Sequence, residues 1–347
     1  MKKVLQISMG ETYGGIERLE ESFKNNIKNF QVDILTPTKI FDDNNYYDLN
    51  ISRNNLLGKI KYNHRLSKFL KNNHYDIVHI NSSVFLFSYQ VARIAKKNNS
   101  KVIAHYHSIP KVSKLKNIII KILNPFYKKK IDVFLSCSKE AAFTNDSIII
   151  KNGIDIEKYK FNDKTREEYR NKLNIKNKKV YGHIGRFDTN KNHDFLIDVF
   201  YEIQEKEKDS ILLLIGEGEN ISKIKDKVNS LNISNKVIFL GKRNDTYNLL
   251  NAMDIFIFPS IKEGLGLSVI ESLTSGLPTY VSNGIPEEAN ISNNFHRINE
   301  FDINTWVKMI LKDKKSKRNN SYKDTINSGY DIKKSTKELE KIYKDLI

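Results

Sequence analysis

Cysteine is almost absent from this sequence, and so are long apolar runs. The single cysteine, Cys137, excludes an internal disulfide framework and fits a reducing cytoplasm, with a small buried thiol as the simplest interpretation. No run approaches the roughly 18 consecutive apolar residues of a membrane-spanning helix. The opening MKKVLQISMG has too short an apolar run for a signal peptide and is predicted to be a first strand. These absences favour a cytoplasmic globular protein.

Acidic residues are scarce in the first half only. Residues 1–152 contain 25 Lys and Arg against 12 Asp and Glu, a net charge of +13, whereas the other 195 residues contain 33 against 29, a net +4. A basic half predicts an anionic partner, such as nucleic acid, a membrane surface or a phosphorylated substrate. A basic nucleic-acid-binding protein is the non-enzyme alternative. It would need interleaved cationic and aromatic side chains or a recognised reading motif, and the sequence has neither, so no nucleic-acid partner is expected.

Short β-branched runs alternate with amphipathic stretches along the chain, in two series. The first half offers KVLQIS, QVDILT, DIVHINS, KVIAHYH, DVFLSC and SIIIKNG as strands, and the second half offers KVYGHIG, SILLLIG, KVIFLG, DIFIFPS, PTYVS and FHRIN. Repeated strand–helix–strand units predict parallel sheets with helices on both faces. The two series therefore predict an α/β protein of two doubly wound domains, residues 1–152 and 153–332.

Ligands of such sheets collect beyond the carboxyl ends of the strands, so the residues just after each strand are the informative ones. Gly14 and Gly15 precede a helix after the first strand, where backbone N–H groups could meet a phosphate, although a plain glycine turn explains them equally well. Arg186 and Lys191 follow the first strand of the second half and could converge on a diphosphate. From charge alone, two solvated loop cations would be the better explanation.

The stretch KEGLGLSVIESLTSGLP places two glutamates around the start of a helix. Glu263 lies in the loop after DIFIFPS, and Glu271 lies about one turn into the helix, near the end whose dipole stabilises a carboxylate. Paired acceptors at this place suit the vicinal hydroxyls of a ribose or a hexose. The backbone N–H groups of Gly266, Leu267 and Ser268 are left for phosphate or sugar oxygens. A helix-start carboxylate beside a solvated loop glutamate is the weaker explanation, because turn, helix start and both acids coincide.

Four motifs of the second half occur in one order: GHIGRFDTNKNHDFLIDVF, GEGEN, FLGKRND and AMDIFIFPSIKEGLGLSVIESLTSGLP. Together they resemble the C-terminal half of glycosyltransferase family 4, retaining enzymes of the GT-B fold, and most of all those of bacterial capsule and exopolysaccharide assembly. The first half adds YGGIER and AHYHS, which are similar but less specific. The resemblance implies two facing Rossmann-like domains with a cleft between them. The first domain would bind the acceptor and the second the nucleotide sugar, with a final helix, 333–347, packing back on the first domain.

The resemblance also implies roles for individual residues. Arg186 and Lys191 would hold the diphosphate, Glu271 would bind the ribose hydroxyls, and Glu263 would contact the transferred sugar. His107 matches the family's cleft histidine near the sugar and the acceptor, with a structural, hydrogen-bonded histidine as the competing interpretation. Further donor contacts are implied for Gly14, Gly15, Arg243, Gly266, Leu267 and Ser268.

No metal ion or cofactor is expected beyond the nucleotide-sugar substrate. The chain has no Asp-x-Asp, and His105 and His107 have no obvious third ligand nearby, so protein cations would neutralise the diphosphate. The predicted activity is metal-independent, hexosyl- or N-acetylhexosaminyl-type transfer to an acceptor hydroxyl with retention. Family frequency favours UDP as the nucleotide. A GT-B phosphorylase or a nucleotide-sugar epimerase is the enzyme alternative, because it shares the fold and the phosphate handling.

Two basic segments of the first half are candidates for a membrane surface. Residues 56–71 contain five Lys and Arg and no acid, and residues 111–131 contain seven Lys and no acid, with apolar residues interspersed in both. Such segments can lie on an anionic bilayer; the alternative is two surface helices whose apolar sides face the core. With the resemblance, they predict peripheral attachment at the inner face of the cell membrane. The acceptor would then be a polyprenyl-diphosphate-linked glycan.

Overall fold

The structure is a computed structural model that describes residues 1–11, 14–41, 46–107, 114–312, 318 and 321–347, without the side chains of residues 114–117 and 119. The chain divides into two compact units. The first unit comprises Met1–Ile154 and Gly329–Ile347, and the second comprises Asp155–Ser328. The sequence placed the boundary after residue 152 and the returning helix at residue 333.

Strands and helices alternate along the described chain. The strands are β1 (Lys3–Ser8), β2 (Gln31–Thr36), β3 (Tyr46–Asp48), β4 (Ile77–Asn81), β5 (Lys101–Tyr106), β6 (Val133–Ser136), β7 (Ile148–Ile149), β8 (Lys179–Ile184), β9 (Ser210–Ile215), β10 (Val237–Phe239), β11 (Ile255–Phe258), β12 (Thr279–Ser282) and β13 (Phe295–Ile298). The helices are α1 (Gly15–Asn26), α2 (Leu56–Asn72), α3 (Phe85–Lys97), α4 (Lys114–Lys128), α5 (Ile156–Tyr159), α6 (Asp163–Lys172), α7 (His193–Lys206), α8 (Ile221–Ser230), α9 (Thr246–Ala252), α10 (Leu267–Thr274), α11 (Ile303–Lys312), α12 (Tyr322–Asn327) and α13 (Ile332–Leu346).

The first unit contains a seven-stranded parallel sheet in the order β3-β2-β1-β4-β5-β6-β7. The chain winds outward in one direction from β1 and in the other from β4, so the switch point lies between these two strands. All six predicted strands are present, although β7 keeps only two residues of the predicted run. The three residues of β3 were not predicted, because a strand this short shows no recognisable pattern.

The second unit contains a six-stranded parallel sheet in the order β10-β9-β8-β11-β12-β13, with its switch point between β8 and β11. All six predicted strands are present. Their apolar runs are continuous rather than alternating because helices cover both faces of a parallel sheet. The predicted fold class, two doubly wound Rossmann-like α/β domains, is confirmed.

Each unit has its own apolar core. In the first unit, α2 and α3 pack on one face of the sheet, and α1 and α13 contribute to a second cluster. Leu339 and Tyr343 of α13 are buried there with Val4 and Phe23, so the C-terminal helix is part of the first unit. Among the helices of the described residues, none combines the length and apolar character that crossing a bilayer requires.

Candidate active site

The loops after β8 and β11 lie at the switch point of the second unit. They comprise residues 185–192 and 259–266. The Ile261 N–H donates to the Asn190 carbonyl at 2.8 Å, and the Asn190 side-chain amide donates to the Lys262 carbonyl at 2.7 Å. Side chains of both loops therefore meet at the carboxyl edge of the sheet, where ligands of doubly wound folds bind.

A carboxylate–ammonium pair forms the centre of this site. Lys191 Nζ lies 2.6 Å from Glu263 Oε1, and the two side chains are only 17% and 12% exposed. The same Oε1 accepts from Ser260 Oγ at 2.6 Å and from Asn190 Nδ2 at 3.0 Å. Three donors thus fix one oxygen of Glu263, while no donor among the described residues reaches Oε2.

This arrangement leaves binding capacity on both partners. The Lys191 ammonium has three protons and uses one on Glu263, so two can point to anionic oxygens. Glu263 keeps one oxygen that can accept from a hydroxyl. An anion and a hydroxyl-bearing group could therefore bind side by side, held by the ammonium and by the carboxylate.

The start of α10 adds backbone donors beside Glu263. Gly266 has φ +79°, a left-handed conformation that glycine adopts without steric cost, and its carbonyl accepts from the Val269 N–H at 2.8 Å. No side chain of the described residues caps this helix end. The N–H groups of Leu267 and Ser268 therefore have no intrahelical acceptor and can bind an anion.

Glu271 is buried within α10 and accepts a hydrogen bond from Tyr159. The Tyr159 hydroxyl, on the short helix α5, lies 2.8 Å from Glu271 Oε1. Tyr159 was missed by the sequence analysis, because 112 residues separate the two side chains and no local pattern marks the tyrosine. Tyr159 thereby orients the Glu271 carboxylate, which the resemblance predicts to bind the ribose.

The two predicted arginines differ in their surroundings. Arg186 is exposed, and its guanidinium meets no acceptor among the described residues. Arg243 donates from Nε and Nη2 to the two oxygens of Asp245, at 2.8 and 2.7 Å. Their bidentate hydrogen bonding raises the pKa of Arg243 and lowers that of Asp245. The structure thus leaves Arg186 free for a ligand and engages Arg243 with Asp245.

His107 follows β5 in the first unit and is buried. Its Nδ1 lies 3.0 Å from Asn152 Oδ1, and its Nε2 lies 3.0 Å from Asn81 Oδ1. Asn81 donates its amide to Glu20 Oε1 at 2.8 Å, so its oxygen faces the ring and Nε2 must carry the proton. Burial lowers the pKa of His107 to about 4, so the ring is neutral at pH 7, with the Asn152 side chain against Nδ1. Both ring nitrogens are therefore occupied.

Gly14 and Gly15 stand at the start of α1, as predicted. The Gly14 N–H donates to Glu17 Oε2 at 3.0 Å, so this donor is taken by the first turn of the helix. Around Gly15 there is open space, because a Cβ placed there would meet no atom within 4 Å. Of the two glycines, Gly15 is the one with room for a ligand.

Two family matches account for most of the chain. Residues 27–158 match the family described as Glycosyltransferase Family 4, and residues 165–328 match Glycosyl transferases group 1. The chain belongs to glycosyltransferase family 4. The predicted family is thus confirmed, and with it glycosyl transfer from nucleotide-sugar donors.

Individual relatives of this glycosyltransferase cover different shares of it. The UDP-Gal:alpha-D-GlcNAc-diphosphoundecaprenol alpha-1,3-galactosyltransferase of Escherichia coli is 27% identical over 81% of this chain and 78% of that one. The capsular polysaccharide biosynthesis glycosyltransferase CapH of Staphylococcus aureus is 25% identical over 82% and 81%. The putative glycosyltransferase EpsF of Bacillus subtilis is 31% identical over 40% of this chain, and the match spans only 37% of EpsF.

Solved structures share the fold of the whole chain. The crystal structure of Anabaena HepE in complex with UDP-glucose has a TM-score of 0.82 at 17% identity and covers 100% of both chains. At this identity the likeness establishes the GT-B fold.

Proposed function

We propose that this glycosyltransferase is a retaining enzyme that moves a sugar from a UDP-linked donor to a hydroxyl of a lipid-linked glycan. The observation that carries the proposal is the Lys191–Glu263 pair at the switch point of the second unit. The pair places two ammonium protons beside one carboxylate oxygen, which suits a diphosphate joined to a sugar. HepE, with the same fold, was solved with UDP-glucose, which supports UDP as the nucleotide.

In the proposed reaction, the bond from the anomeric carbon to the diphosphate oxygen breaks, and the acceptor oxygen bonds to the same face of that carbon. Because the attack is on the same face, configuration is retained. The acceptor proton passes to an oxygen of the departing diphosphate, so no protein base is needed. Arg186 and Lys191 stabilise the developing charge on the diphosphate. The N–H groups of Leu267 and Ser268 add further donors at the start of α10. These groups take the place of a divalent metal ion.

The other predicted contacts complete the proposal. Glu263 Oε2 accepts from hydroxyls of the transferred sugar, and Glu271 accepts from the ribose. By the family resemblance, Gly15 would contact phosphate through its backbone, and neutral His107 would serve the sugar and the acceptor. Arg243 would have to exchange Asp245 for a phosphate in order to contribute.

The ribose assignment predicts a selective change in nucleotide affinity. Glu271→Ala should weaken UDP binding roughly 10- to 100-fold, because a carboxylate bound to hydroxyls is lost. It should weaken dUDP binding much less, because dUDP lacks the 2′-hydroxyl. Isothermal titration of both nucleotides in the presence of EDTA measures the two effects. Tyr159→Phe, which removes only the donor to Glu271, should give a smaller loss of UDP affinity.

Three outcomes would count against this donor site. Glu271→Ala could lower the affinities for UDP and dUDP equally, or lower neither. Binding or turnover could be abolished by EDTA and restored by magnesium, which would contradict metal independence. Turnover that requires inorganic phosphate would identify a phosphorylase instead.

The acceptor half of the proposal is supported by an apolar stripe on α4. Ile118, Ile122 and Phe126 are spaced four residues apart, hence on one helix face, and they are 57, 63 and 58% exposed. Lys121 and Lys128 are exposed on the same helix. An exposed apolar stripe beside cations is typical of a helix lying on an anionic bilayer. The E. coli relative is named for a diphosphoundecaprenol-linked acceptor, which fits a membrane-bound glycan, and CapH is named for capsule synthesis.

The membrane assignment predicts lipid-dependent sedimentation. The protein should sediment with phosphatidylglycerol vesicles and not with phosphatidylcholine vesicles, and salt should weaken the binding. Lys121→Gln with Lys128→Gln should reduce binding roughly 30-fold, since each cation near the surface contributes about 1 kcal/mol. Ile122→Ser with Phe126→Ser should also reduce it, without any change in charge.

A matched control is available on another helix of the same unit. Lys337→Gln with Lys341→Gln removes the same charge from the exposed side of α13 and should leave vesicle binding near wild type. Equal partition onto neutral vesicles, or equal losses in both double variants, would contradict a role for α4.

A further inference from the structure

A buried arginine lies at the carboxyl edge of the first unit's sheet, and among the described residues its guanidinium has no hydrogen-bond acceptor. Arg53 is only 9% exposed, and its guanidinium carbon lies 4.7 Å from the ring centre of Tyr62 and 4.3 Å from that of Phe87. Its Nε is buried without a hydrogen-bond acceptor, and no acceptor among the described residues meets its terminal nitrogens, which reach the surface. The guanidinium is held in place by aromatic rings and offers its donors outward.

The backbone around Arg53 is fixed by a neighbouring acid. The Arg53 N–H donates to Glu11 Oε1 at 2.5 Å, and Ser52 Oγ donates to Glu11 Oε2 at 2.8 Å. Both oxygens of Glu11 are therefore used by groups other than the guanidinium. The Glu11 carboxylate attracts the Arg53 guanidinium electrostatically, but it accepts no hydrogen bond from the guanidinium N–H groups.

The position of Arg53 is one where ligands of this fold bind. Its loop follows β3 and crosses the strand ends: the Ile51 N–H donates to the Pro37 carbonyl, just past β2, and Glu11 lies just past β1. Phe87 belongs to the first turn of α3, which follows β4. Arg53 thus contacts elements that begin on both sides of the β1–β4 switch point.

Such an arginine costs stability unless something outside the described residues binds it. Removing a charge from water without hydrogen-bond acceptors is unfavourable, and contact with aromatic rings offsets only part of this cost. A guanidinium held rigidly with free donors matches the oxygens of a phosphate in a bidentate way.

We propose that Arg53 binds an oxyanion of the acceptor, namely a phosphate of the diphosphate through which the glycan is attached to its lipid. This inference rests on the proposed function for the identity of the acceptor, but the anion site itself does not depend on it. Arg53 would be an acceptor-binding residue and would have no part in binding the donor.

Binding of inorganic pyrophosphate tests the site directly. Isothermal titration is carried out on the protein saturated with UDP, so that the donor site is filled. Arg53→Met, which keeps the packing against the rings, should weaken pyrophosphate binding roughly 10- to 100-fold. Its melting temperature should stay the same or rise, because the cost of the unpaired charge is removed. Arg93→Met is the matched control, because Arg93 also lies over a ring, that of Tyr89, but is exposed; it should bind pyrophosphate normally.

Kinetics then identify the source of the anion. With a diphosphate-linked acceptor, Arg53→Met should raise the acceptor KM and leave donor hydrolysis unchanged. With a neutral alkyl glycoside of the same sugar, the variant should match the wild type. Equal losses with both acceptors would identify a structural residue and overturn the proposal. A wild type without pyrophosphate binding would overturn it as well.

Two further variants keep the outcomes separate. If Arg53→Met does not fold, Arg53→Lys keeps the charge but loses the planar pair of donors, and pyrophosphate binding should still fall several-fold. If UDP does not bind, the proposal of a UDP-linked donor is wrong, and this outcome does not bear on the anion site at Arg53. Pyrophosphate is then titrated without UDP into the Arg186→Ala/Lys191→Ala variant and into the same variant that also carries Arg53→Met. Weaker binding in the triple variant would still support the anion site. Equal binding in the two variants would overturn it.

Discussion

Lys191→Met is expected to lower kcat for sugar transfer by roughly 100- to 1,000-fold, because the ammonium acts where the leaving diphosphate gains charge. Glu263→Gln should lower kcat by a comparable factor while UDP affinity stays near wild type, since the partner of this carboxylate is the sugar. The two losses should not multiply. Lys191 Nζ and Glu263 Oε1 are 2.6 Å apart, so each single change also releases the other side chain.

A double-mutant cycle measures this coupling. The Lys191→Met/Glu263→Gln variant should lose little more than either single variant, which corresponds to a coupling energy of roughly 3–4 kcal/mol, about the free energy of one single-variant loss. Lys262→Met removes an exposed neighbouring lysine of the same loop and serves as the control. Turnover near wild type in either single variant, or strictly multiplicative losses, would contradict the site.

Acidification from pH 7 to pH 5 is expected to destabilise the protein by several kcal/mol. Burial lowers the pKa of five histidines: His79, His105, His107, His183 and His193. The value falls to about 3 for His79 and to about 4 for His107 and His193. In the unfolded chain these histidines titrate near pH 6.5, so below that pH the unfolded chain binds more protons than the folded chain. The free energy of unfolding therefore decreases as the pH is lowered. At pH 5, His79, His107 and His193 each contribute a loss of about 2 kcal/mol.

Thermal melts between pH 7.5 and pH 5 test this expectation. His79 contacts the Tyr343 hydroxyl at 2.6 Å and His105 Nδ1 at 3.2 Å, so its protonation would break a buried network. His79→Gln should be less stable at pH 7 but show a shallower dependence on pH. His74→Gln, at an exposed position, should follow the wild-type curve. A melting temperature that stays constant down to pH 5 would mean that these rings are not held neutral.

The fold could be predicted because its signals are local. Each strand of a parallel sheet is covered on both faces, so it appears in the sequence as a continuous apolar run such as SILLLI. The positions of Glu263 and Glu271 around a helix start could be predicted for the same reason, because a Gly-x-Gly turn and an apolar helix are neighbours in the chain.

Some local signals were too weak. The charged stretch after residue 155 shows little periodicity, yet it contains α6, which is held by contacts far along the chain. Arg166 pairs with Asp254 at 2.5 Å, and Arg170 also contacts Asp254. A helix stabilised in this way is set by tertiary ion pairs rather than by an apolar stripe.

By itself, the sequence determined the two doubly wound domains, the family motifs and the loops that carry the candidate residues. Only the tertiary structure decided which side chains touch. Lys191 meets Glu263 across 72 residues of chain, and Tyr159 meets Glu271 across 112. Arg53, an ordinary cation in the sequence, proved to be buried against two rings. The reason is that sheet order brings distant strand ends together, and no local pattern records which loops become neighbours.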